Sequence, residues 1–61
     1  MILYTKDELF NLLEAVDCHS DVIEINHYVL IHCDDYPTDL ISLLLRDINL
    51  LHVLYSNEAD T

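Results

Sequence analysis

The spacing of apolar positions changes along this chain, and with it the element each stretch predicts. Leu9, Phe10, Leu12, Leu13 and Val16 recur at intervals of three and four, the buried stripe of an amphipathic helix, with Asp7, Asn11 and Glu14 on the opposite face. The run TKDE at 5–8 marks its start. Thr5 can cap the first turn while Glu8 reaches back to the cap residue's own amide. Asp7 and Glu8 suit the positive end of the helix dipole, whereas Asp17 opposes the negative end. Before the cap, ILYT at 2–5 reads as a short strand.

DVIEINHYVLIHC at 21–33 is rich in β-branched residues and reads as extended chain too long for one typical strand. Asn26-His27 sits at its middle, and both residue types are enriched at positive φ, so a two-residue hairpin turn is expected there in a chain without glycine. Ile23, Ile25, Tyr28 and Leu30 then share one face of the hairpin, and Val22, Glu24, Val29, Ile31 and Cys33 the other. A second helix is expected from the only proline, Pro37, with Tyr36 as its extended cap. Leu40, Ile41, Leu44, Leu45 and Ile48 form its buried stripe, with Leu43 widening it. Leu51, Val53 and Tyr55 alternate with Leu50, His52 and Leu54, which predicts a last strand over 50–56.

These elements predict an α+β fold, a compact two-layer sandwich in βαββαβ order, ferredoxin-like, with two helices on one face of a four-stranded antiparallel sheet. A three-stranded version without the first strand is the alternative. Residues 1–56 make the single domain and 57–61 a polar tail. The strand order resembles that of heavy-metal-associated domains. Those carry Cys-x-x-Cys after the first strand, where this chain has TKDE, so the likeness stops at strand order.

Composition sharpens the picture. At 61 residues the chain is near the lower limit for independent folding, yet 52% of it is apolar, too much for a disordered acidic segment. Twelve acidic residues face only Lys6 and Arg46, a net charge of −10. That field repels nucleic acid and anionic membrane and attracts basic partners. No signal peptide or membrane-length apolar run is present, and two cysteines without an export signal read as reduced thiols, so a cytoplasmic protein is expected, in the host cytoplasm if phage-encoded.

In the predicted fold, Asp17, Asp21, Asp34, Asp35 and Asp39 come from four element ends at one pole. Asp7 and Glu14 on the first helix and Asp47 on the second continue it. Cys18, His19, His32 and Cys33 fall at the same pole and supply enough ligands for tetrahedral zinc. Adjacent Cys-His pairs on extended backbone point apart, however, and the usual two- to four-residue ligand spacing is missing. Neither metal nor cofactor is expected. Calcium is disfavoured for want of a glycine-bearing loop. The plain reading is that both cysteines are small buried hydrophobes and both histidines surface residues.

No serine–carboxylate or cysteine arrangement can be placed around His27 or His52, and a phosphate loop would need glycine, so an enzyme is not expected. Carboxylates on a rigid surface can stand in for phosphates. The expected function is therefore a small acidic inhibitor that blocks the basic, nucleic-acid-binding surface of a partner protein, with no direct contact to nucleic acid or membrane. In size, acidity and lack of catalytic apparatus the chain resembles phage- or mobile-element-encoded anti-defence proteins, anti-CRISPR proteins among them, a likeness of kind without a shared motif. The alternative is an interaction module, an antitoxin or assembly subunit, that binds through an apolar sheet face of Val22, Val29, Ile31 and Cys33. Such a patch also predicts a homodimer. Plain solubilisation is the competing account of the acids.

Overall fold

The computed structural model describes residues 3–59, with side chains through 56. It is a bundle of three helices, α1 (Lys6–Glu14), α2 (His19–Ile31) and α3 (Thr38–Ala59), with a short 3-10 turn at Cys33–Asp35. No strand occurs among the described residues. The expected α+β sandwich is thus replaced by an all-helical fold. Residues 3–5 of the expected first strand have no regular structure, and Ile2 lies outside the described residues.

α1 starts where the sequence says it should. The Glu8 amide donates to Thr5 Oγ1 at 3.1 Å and the Thr5 amide donates to Glu8 Oε1 at 2.9 Å, a complete capping box. The predicted hairpin over 21–33 is a helix instead. A two-residue hairpin turn needs positive φ at one or both central residues, unfavourable without glycine, and none of the described residues takes one. The same stretch also carries a helical period, since Val22, Ile25 and Val29 lie three and four apart and pack on the core. Packing overrides the β preference of the branched side chains, which is worth only tenths of a kcal/mol per residue, about.

Tyr36 is extended before Pro37, as a pre-proline residue should be (φ −129°, ψ 157°). α3 then runs on through the expected last strand. Between Ile48 and Ala59 there is no proline or glycine to stop a helix, and Leu51 and Tyr55 continue the stripe of Leu40, Leu44 and Ile48. The helix also takes in residues 57–59 of the expected tail, while 60–61 lie outside the described residues.

α2 runs antiparallel to its neighbours. His19 at its start meets His52 of α3, and Tyr28 near its end meets Tyr4 and Tyr36. α1 lies parallel to α3, with Lys6 beside Leu40 and Leu43, and Phe10 beside Leu50 and Leu51. The core consists of Leu9, Leu13 and Val16, Val22 and Val29, and Leu40, Leu44 and Ile48. At 22 residues α3 is about 33 Å long at 1.5 Å per residue, which sets the molecule's longest dimension of 38 Å. The Tyr55 hydroxyl donates to the Val16 carbonyl at 3.1 Å and so ties the α1–α2 connection to the far part of α3. No helix among the described residues is long and apolar enough to cross a membrane.

Candidate interaction surface

The helix in place of the hairpin divides the predicted acidic pole. Asp17 and Asp21 stand at the start of α2, and Asp34 and Asp35 lie in the 3-10 turn beyond its end. Thirteen residues of helix separate the two sets by about 20 Å. Asp39, in the first turn of α3, and Asp7, in the first turn of α1, belong with Asp34 and Asp35 at one end. Glu14, at the close of α1, belongs with Asp17 and Asp21 at the other. Asp47 lies between, on α3 facing α1. One pole has become two acidic ends.

The same division separates Cys18 and His19 from His32 and Cys33, so these four side chains cannot surround one ion. Both cysteines are free and exposed, not buried hydrophobes. His32 Nδ1 instead meets Asp35 Oδ2 at 3.1 Å. His19 Nε2 lies 3.3 Å from His52 Nδ1 across the α2–α3 interface, a contact that a strand at 50–56 would not predict and that the helical register of α3 creates. Asp17, Cys18 and Asp21 bring their ligand atoms within 4.8 Å of one another at the surface. Two hard carboxylates and one soft thiol make a mixed donor set suited to no particular metal.

The expected apolar interface is also redrawn. Val22 and Val29 are 1% exposed and belong to the core, so they cannot face a partner. Ile31 and Cys33 are exposed, but on and just beyond α2, not on a sheet. A different apolar surface runs along α3, through Leu43, expected in the buried stripe but 49% exposed, and through Leu50 and Leu54, expected on a strand. Leu43, Leu50 and Leu54 are about half exposed or more along α3. Read as helix, 43, 47, 50 and 54 form one line at spacings of four, three and four, the signal that would have revealed it.

Beside that line, α1 and α3 leave a groove. One part, of about 300 Å³, is lined by Phe10, Leu13 and Glu14 of α1 and by Asp47, Leu50 and Leu51 of α3. Toward the helix starts lies a separate hollow of about 400 Å³ among Lys6, Tyr36, Asp39 and Leu43. Burial, the hydrogen bond with Tyr28 and the nearby Tyr28, Asp35 and Glu8 charges push the Tyr36 phenol up to about 12. Comparison with protein-family models, with curated proteins and with solved structures finds no match.

Electrostatically the surface is nearly all of one sign. Ten acidic side chains fall among the described residues, eight exposed and Asp21 and Asp47 half-buried. The one close contact of a carboxylate with a basic side chain among the described residues is the hydrogen bond between His32 and Asp35, and neither Lys6 nor Arg46 pairs with an acid there. Surface acids left without cations attract a basic partner most strongly at low salt.

Proposed function

We propose that the protein is a small, non-enzymatic inhibitor that occupies the basic, nucleic-acid-binding surface of a partner protein in place of nucleic acid. The observation that carries this reading is the distribution of unpaired negative charge. Ten acidic side chains, eight of them exposed, gather toward the two ends of a body 38 Å long and face only Lys6 and Arg46. The net charge of −10 exceeds what solubility asks of a small domain, a net charge of magnitude about 2–8. The two acidic ends, about 20 Å apart along α2, span more than half of a duplex turn of ~34–36 Å, so a cleft built for a backbone can engage both.

The test is capture of partners at low salt, followed by release at high salt and competition with duplex and single-stranded nucleic acid. Basic nucleic-acid-binding proteins should bind, leave with salt, and be displaced by nucleic acid. The paired variants Asp34→Asn with Asp35→Asn, and Asp17→Asn with Asp21→Asn, should each weaken capture and leave the fold intact. Capture that ignores both salt and these variants sinks the proposal.

A further inference from the structure

We propose that the groove between α1 and α3 receives a basic amphipathic helix of the partner protein. The inference rests on the reading of an acidic surface given above and names the element that surface takes.

Leu43, Leu50 and Leu54 are 49%, 64% and 51% exposed, and Asp47 stands in line with them. From Leu43 to Leu54 the line runs about 16 Å, the length of three helical turns. Apolar side chains repeating at helical spacing beside a concave wall are the surface an amphipathic helix lays its own apolar face upon. A 61-residue chain that leaves these leucines in water forgoes burial it can ill spare.

Charge decides between occupants. Asp47 is half-buried in the groove, and among the described residues it has neither an ion pair nor a side-chain hydrogen bond. Glu14 lines the same part of the groove from α1. A carboxylate set among leucines at a groove wall offers a basic side chain a partner there. A lysine or arginine answers both demands, since its aliphatic stem lies along leucine while its charged head reaches the carboxylate. A second copy of this chain would bring another −10 against the first and set acid against acid, so the groove selects a basic partner over self-association. The exposed α2 residues Ile23, Leu30 and Ile31 are not among the residues lining this groove and serve as a control surface.

The experiment titrates the full chain with a synthetic helix of about four turns, leucines along one face and lysines elsewhere, and with a scrambled peptide of the same composition. Binding is read by calorimetry at low and at about 0.15 M salt. The amphipathic peptide should bind at least about tenfold more tightly than the scrambled one. Leu50→Ser and Leu54→Ser should each abolish most of that advantage, Asp47→Asn should weaken binding and flatten its salt dependence, and Ile31→Ser should leave it unchanged. Both leucines are exposed, and far-UV circular dichroism confirms the folded state of each variant. Equal binding of the two peptides, or equal weakening by Ile31→Ser, overturns the groove while leaving the acidic-surface reading in place. No binding of either peptide overturns both. A dimer in sedimentation that Leu50→Ser dissolves assigns the groove to a second copy and overturns the proposal.

Discussion

Tyr28 and Tyr36 share a hydrogen bond of 2.7 Å between their phenol oxygens, and it closes a ring. The single proton of the Tyr36 hydroxyl goes to the Tyr4 carbonyl, also at 2.7 Å. Tyr28 must therefore be the donor to Tyr36. The Tyr28 oxygen in turn accepts from the Tyr4 amide at 3.1 Å. Three hydrogen bonds run head to tail and join the entry segment, the last turns of α2 and the residue before Pro37. Each donor in such a cycle polarises the next.

Tyr36→Phe removes two members of that ring and leaves the Tyr4 carbonyl and the Tyr28 hydroxyl without their partner. The expected cost is about 1–3 kcal/mol, the net worth of one or two partly buried hydrogen bonds, measured by urea unfolding. On a domain this small that is a substantial share of the total, roughly 3–9 kcal/mol at usual stabilities per residue.

Alkaline titration gives a second check on the same group. Its folded value of about 12 lies above the ordinary 10.0, so the protonated phenol is favoured in the folded state. The stability this contributes is fully present below pH 10 and is lost as pH rises toward about 12. The wild type should lose stability steeply across that window, and Tyr36→Phe should lose less over the same range. Equal slopes for the two proteins would place the alkaline sensitivity in other groups.

What the sequence made legible was local. The capping box at Thr5 and Glu8, the first helix, the extended Tyr36 before Pro37 and the opening of α3 all follow from residues within a few positions of each other. The errors share one cause. Val22 to Ile31 and Leu50 to Tyr55 are rich enough in apolar and β-branched residues to satisfy a period of two as well as one of 3.6. The choice between the two falls to tertiary packing, here Val22, Ile25 and Val29 against Leu44 and Ile48. Site residues inherited the error. The acids were identified by type and number, but their grouping depended on a hairpin that does not form, and the line Leu43–Asp47–Leu50–Leu54 exists only on a helix.

Salt should stabilise the fold. With a net charge of −10 and no lysine or arginine pairing with a carboxylate among the described residues, the compact state carries mostly repulsion. Raising ionic strength from about 0.01 to 0.15 M shortens the screening length from ~30 to ~8 Å, below the separation of the two acidic ends. Thermal unfolding should therefore shift upward by several degrees. A downward shift would mean that attractive pairs outweigh the repulsion.

Core and groove leucines should respond oppositely to truncation. Leu44 is 0% exposed in the core shared by the three helices, so Leu44→Ala should cost about 2–5 kcal/mol, a large part of the total stability. Leu50, 64% exposed on the same helix, should tolerate alanine within about 0.5 kcal/mol. Similar losses at the two positions would place Leu50 inside the core.

The sharpest test of helix against hairpin is at Asn26 and His27, the pair that would have formed the turn. His27 is exposed at the middle of α2. On a helix, His27→Ala gains roughly 0.5 kcal/mol in propensity and His27→Gly loses about as much, with little change in packing. In a two-residue hairpin the order reverses, because glycine supplies the positive φ that alanine resists. Chemical unfolding of the two variants, followed at the helical ellipticity minimum, should therefore rank alanine above wild type and wild type above glycine. The opposite ranking would restore the hairpin and bring Asp17, Asp21, Asp34 and Asp35 back to one pole.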